Sequence, residues 1–128
     1  MFRRLFAACV MLVWPAIAFA HEGVGPHGGE VSDAGPYYIE LVAKGTQVSF
    51  FVFDDKTSSP VETKGATATA TVLAGQKEQA VTLQPGAPGG KDNNAMVGQL
   101  ETSAAKGMRI VVLVHLPGKP TAVARFAL

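Results

Sequence analysis

Ala66-Thr67-Ala68-Thr69-Ala70-Thr71-Val72-Leu73 decides the fold class. Threonine alternates with small apolar residues along it. Thr67, Thr69 and Thr71 take one face, and Ala68, Ala70 and Val72 take the other. A period of two is the period of a β-strand with one face buried and one face wet. Downstream, Gly75 marks a turn and Gln79 to Gln84 reads as a second strand, with Val81 and Leu83 inward. Pro85 to Gly90 is a Gly/Pro loop that continues through Asp92-Asn93-Asn94. Its glycines are not followed by Lys-Ser/Thr, so it is not a phosphate-binding loop.

The same reading extends to the C-terminus. Met96 to Glu101 is a strand, and Ser103 to Gly107 forms a turn or a short helix. Arg109 to Leu116 is the most apolar strand, with Met96 and Met108 as core fillers. Pro117-Gly118-Lys119-Pro120 turns the chain into a last strand, Thr121 to Leu128. There Ala122, Ala124, Phe126 and Leu128 face inward and Arg125 faces outward.

Upstream, Gln47 to Phe53 carries apolar groups on both faces: Val48, Phe50 and Val52 on one, Phe51 and Phe53 on the other. Such a strand is either covered on both sides or presents a patch to a partner. Before it, Tyr37-Tyr38-Ile39-Glu40-Leu41-Val42 lies between Gly35-Pro36 and Lys44-Gly45. Tyr37, Ile39 and Leu41 form its better core face. Residues 21–36, rich in glycine and proline, read as an arm. The expected fold is all-β: an antiparallel β-sandwich of about seven strands, immunoglobulin-like, over residues 37–128. No internal repeat and no second domain is evident.

Residues 1–20 read as a signal peptide. Arg3 and Arg4 precede an apolar run from Leu5 to Ile17, and Ala18-Phe19-Ala20 is a small-x-small cleavage site. The run is shorter than the ~20 residues a membrane span needs. No later segment spans a bilayer on this reading. The general secretory route fits better than the twin-arginine route, which leads to a periplasmic, exported protein. Cleavage removes the sole cysteine, Cys9, so the mature chain has no disulfide and no thiolate ligand. It also leaves nine basic residues against ten acidic ones. With no basic patch, nucleic acid is not an expected partner.

The segment HEGVGPHGGE, residues 21–30, holds two of the three histidines. After cleavage, the free amine and Nδ1 of His21 form a chelate suited to Cu(II) or Zn(II). His27 stands uncrowded beside Gly28-Gly29. Glu30 and Asp33 are oxygen ligands or partners that orient an imidazole. His115 interrupts the Val111–Leu116 run, as a ligand or as a core or edge residue. The candidate metal ligands are therefore His21, His27, Glu30, Asp33 and His115, with Glu22 nearby. No His-Glu-x-x-His, nucleophile elbow or mature cysteine supports catalysis, so no enzyme and no catalytic residue is expected.

Gly25-Pro26-His27-Gly28-Gly29-Glu30, followed by Gly35-Pro36-Tyr37-Tyr38-Ile39-Glu40-Leu41, resembles the N-terminal His-Gly-Gly β-domain of periplasmic adaptor subunits of heavy-metal efflux pumps of the resistance-nodulation-division class. The closing stretch KGMRIVVLVHLPGKPTAVARFAL resembles that domain's last hairpin. The resemblance implies a β-sandwich in the periplasm, handling of divalent or monovalent metal ions, and an efflux-system protein as partner. The adaptor's long hairpin, lipoyl-like and barrel domains have no counterpart in this sequence, so a stand-alone domain is expected. Two functions follow: a periplasmic protein that buffers or hands over copper or zinc ions, or a metal-independent interaction module offering its Phe51/Phe53 face or an edge strand. Mass spectrometry of the exported protein should give a chain that starts at His21. An intact Met1 or a lipid on Cys9 would remove the terminal chelate.

Overall fold

The computed structural model describes residues 23–86 and 92–128. They form eight antiparallel strands: β1 Glu30–Ala34, β2 Tyr37–Lys44, β3 Gln47–Asp54, β4 Thr67–Ala74, β5 Lys77–Gly86, β6 Ala95–Gln99, β7 Arg109–His115 and β8 Ala122–Ala127. No helix occurs among the described residues, and Ser103 to Gly107 is a turn region. No helix among them is long and apolar enough to cross a membrane.

The all-β expectation holds, with eight strands rather than about seven. The added strand is β1, which lies inside the segment read as an arm. Its sequence, Glu-Val-Ser-Asp-Ala, is mostly polar because it is paired along only one edge, with β2. Ala34 is buried, while Glu30 and Asp33 stay exposed.

The strand order is β1-β2-β3-β6-β5-β4-β7-β8. The two halves of this sheet curl to face each other. β5 belongs to both: its first part, Lys77–Leu83, pairs with β4, and its last part, Gln84–Gly86, pairs with β6. The edges β1 and β8 come together to nearly close a barrel. Across that seam the backbone N–H of Arg125 donates to the Ser32 hydroxyl over 3.4 Å.

The main core fills the space between the halves. Ile39, Leu41, Val48, Phe50 and Val52 from one half meet Ala70, Val72, Val112, Val114 and Phe126 from the other. The Phe50 and Phe126 rings pack tilted, 5.9 Å apart. The Ala/Thr alternation of β4 is realised as read, with Ala68, Ala70 and Val72 inward. Met96 and Met108 are buried in this core.

A second apolar cluster lies on the outer face of β2, β3 and β6. It comprises Tyr38, Phe51, Phe53 and Ala95. This explains why β3 is apolar on both faces. Tyr38 stacks on Phe53 with ring centroids 4.9 Å apart, and Phe51 is covered by the segment preceding β1. Phe51 and Phe53 are therefore 3% and 4% exposed and do not form an open patch; of the two surfaces that an interaction module could offer, the edge strand is the one that remains.

Phe50→Ala should lower the unfolding free energy by about 3–5 kcal/mol, the usual cost of emptying a fully buried aromatic site. Leu113→Ala, at a residue 40% exposed on the outer face of β7, should change it by under ~0.5 kcal/mol. Urea unfolding followed by circular dichroism measures both.

Candidate functional site

Residues 25–29 make a tight turn. The Gly28 N–H donates to the Gly25 carbonyl over 2.9 Å, and the Gly25 N–H donates to the Gly29 carbonyl over 2.8 Å. Pro26 holds the second position of this turn, where its fixed φ fits. Gly28 follows with φ +80°, in the left-handed region that glycine adopts without strain. Val24 then bridges to Glu30, continuing the hairpin into β1.

The turn folds down onto the outer face of β2. There Glu40 is fully buried. Period-two alternation places it opposite Phe51 in the β2–β3 ladder, on a face otherwise lined by Tyr38 and Val42. A buried carboxylate is stable only when donors surround it. The turn supplies them. The backbone N–H groups of His27 and Gly29 both donate to Glu40 Oε2, each over 2.8 Å. His27 Nδ1 lies 2.7 Å from Oε1. This approach leaves no room for side chains: a Cβ on Gly25 would overlap the Glu40 carboxyl group, and one on Gly29 would overlap the Leu41 carbonyl.

The His27 ring lies flat on Phe51, with centroids 3.8 Å apart and planes at 13°. One ring nitrogen is thus held by Glu40 and one face by Phe51. A carboxylate that already receives two backbone N–H groups acts as acceptor toward Nδ1, which assigns a proton to Nδ1. The other nitrogen, Nε2, points to Asp92 Oδ2 at 3.3 Å. The His27 and Asp92 side chains are 30% and 35% exposed. They stand at the rim of a groove of about 420 Å³ whose lining also includes Phe51, Val42, Ser49, Gln47 and Lys44.

Partial burial of the ring works to lower the His27 pKa. The hydrogen bond and the charge of Glu40, followed by those of Asp92, outweigh it and hold the pKa above the usual imidazole value. When His27 is neutral, the Nε2 lone pair faces the Asp92 carboxylate, and two acceptors oppose each other. A proton on Nε2 removes that opposition and makes the contact an ion pair.

The other candidate ligands lie elsewhere. His21 and Glu22 fall outside the described residues. Glu30 pairs with Leu41, on the core-side face of the sheet, opposite to the face that carries Glu40. Asp33 pairs with Tyr38, one layer along from Glu40. His115 is exposed at the end of β7, opposite Thr67, and its Nδ1 lies 3.4 Å from the Thr121 hydroxyl. Neither ring nitrogen of His27 is directed at any of these. Among the described residues, no group of three or more His, Cys, Asp or Glu side chains is placed to hold a metal ion.

The residues that sequence reasoning missed are Glu40, Asp92 and Phe51 in its role as platform. Glu40 had a signal: it is the one charged residue in a strand otherwise apolar from Tyr37 to Val42. Asp92 had none, since it is 65 residues from His27. Comparison with protein-family models, with curated proteins and with solved structures finds no match.

Glu40→Gln should destabilise the fold by about 3 kcal/mol, because the amide turns a donor toward groups that already donate. The pH dependence has a definite sign. A pKa raised by folding means that protonated His27 favours the folded state. Its contribution is complete below the unfolded value near ~6.5 and is lost as pH rises through the higher folded value. The melting-temperature difference between wild type and His27→Gln should therefore be larger at pH 6 than at pH 9. The His27 ring protons should titrate by NMR above the free-imidazole midpoint.

Proposed function

We propose that this is an exported periplasmic protein that binds a copper or zinc ion at His27 and Asp92 and buffers it or hands it over. The observation that carries the reading is the fixed His27 ring: Nδ1 is tied to buried Glu40, and Nε2 is turned toward Asp92 at 3.3 Å. A metal-bound imidazole typically donates its other N–H to a carboxylate in this way, which fixes its tautomer and raises its basicity.

The separation of the two donors supports the same reading. A charge-assisted N–H···O bond is normally ~2.7–2.9 Å long, so 3.3 Å is long for one. Two metal bonds of ~2.0–2.2 Å at a tetrahedral angle place their donor atoms about 3.3–3.6 Å apart, a range whose lower end matches the pair. The spacing of the pair is compatible with one edge of a tetrahedral zinc site. Imidazole and carboxylate suit Zn(II) or Cu(II) more than Cu(I), which prefers sulfur. Met96 and Met108, the thioethers of the described core, are committed to packing.

Two protein donors make a site of modest affinity, open on the groove side. That suits a protein that passes an ion on more than one that stores it. The signal-peptide pattern of residues 1–20 supports the export, and the resemblance to efflux adaptor domains supports an efflux-system protein as the receiver of the ion.

His27→Gln and Asp92→Asn should each weaken Zn(II) and Cu(II) binding at least tenfold in calorimetric titration at pH 7.5, about 1.4 kcal/mol or more. Affinity should fall between pH 8 and pH 6, as a proton takes the place of the metal on Nε2. Wild-type affinity in both variants would refute the site.

A further inference from the structure

We propose that the groove beside His27 receives a metal ion together with a small polycarboxylate chelator, so that the bound species is a metal–organic acid complex. This rests on the reading of His27 and Asp92 as metal ligands and names what fills the rest of the coordination sphere.

The sheet geometry carries the argument. Along β2 and β3 the outer face is built in cross-strand layers: Glu40 opposite Phe51, Val42 opposite Ser49, and Lys44 opposite Gln47. The 25–29 turn covers the first layer through Glu40 and the His27–Phe51 stack. The two layers beyond it form the groove, which reaches from the Nε2–Asp92 edge to Lys44.

A tetrahedral ion held on that edge keeps two positions that His27 and Asp92 do not fill. Beyond the edge, the groove offers no second imidazole and no second carboxylate among its lining residues. It offers the ammonium of Lys44 and the amide of Gln47, with the buried Ser49 and Phe51 behind them. An ammonium is a poor neighbour for a bare divalent cation and a good one for an anion.

Charge gives the same result. The Asp92 and Glu40 carboxylates on either side of the His27 ring balance a divalent ion, which leaves the positive charge of Lys44 on the groove lining. A ligand with two or more carboxylates chelates the ion and still has one for Lys44. One part of it chelates the metal while a free carboxylate reaches Lys44, with Gln47 donating beside it. A volume of about 420 Å³ is at the small end of the range for small-molecule sites and admits a molecule the size of citrate.

The test is equilibrium dialysis of the purified protein against radiolabelled citrate, with and without Zn(II). Calorimetric titration of Zn(II) alone runs in parallel. The expected result is about one citrate retained per chain in the presence of Zn(II) and none in its absence. Lys44→Gln should lower citrate retention about tenfold, and Lys44→Arg should restore it. His27→Gln should abolish Zn(II)-dependent retention, with circular dichroism confirming the fold of each variant.

Zn(II) bound with no citrate retained overturns this inference and leaves the metal site standing. So does Zn(II) binding that needs no chelator and is weakened by one residue added ahead of His21, since the chain terminus then fills the open positions. Citrate retained equally without Zn(II) overturns it as well. Failure of wild-type protein to bind Zn(II) under either condition overturns both the inference and the reading it rests on.

Discussion

Three N–H groups from one turn converge on a carboxylate that no water reaches. Glu40 sits in the middle of β2, and removing a carboxylate from water costs several kcal/mol unless hydrogen bonds replace the lost hydration. The turn at residues 25–29 provides that replacement and gains its own shape in return. The same bonds fix the His27 backbone, the His27 ring and the close approach of Gly29 to Leu41. The ring in turn covers Phe51, which closes the second apolar cluster. A charged residue on a sheet face thus organises both the cover of that face and the imidazole whose second nitrogen is aimed at Asp92.

Much of the fold was legible because strands with one buried face carry a period of two. β4, with its Ala/Thr alternation, and β8, with Ala122, Ala124 and Phe126 inward, follow the rule directly. β1 was illegible. An edge strand with Glu30 and Asp33 exposed and glycine and proline on both sides has the composition of a loop. Its pairing with β2 comes from the tight Gly35-Pro36 turn that joins the two strands, not from its own side chains.

The site was half legible. His27 stood out through its glycine neighbours: Gly29 is required by contact with Leu41, and Gly28 by its positive φ. Glu40 reads as a solvent-facing residue by alternation, since Tyr37, Ile39 and Leu41 claim the core face. Alternation assigns a residue to one side of a sheet; it says nothing about what else covers that side. The apolar second face of β3 held the missing information. Phe51 and Phe53 needed a cover, and a carboxylate under the same cover needed donors. Asp92 belongs to a contact made by the closed sheet, which no local pattern encodes.

The seam between β1 and β8 also bears on how the chain is threaded. With eight strands alternating in direction, the edges meet antiparallel, and the Arg125–Ser32 contact sets Ala127 near Glu30. The start of the first strand and the end of the last therefore lie at the same rim. A short linker there, with new ends opened at the exposed Gly45 or Gly75 turn, gives a circular permutant that keeps every strand pair. In such a molecule the 25–29 turn is an internal loop tethered on both sides.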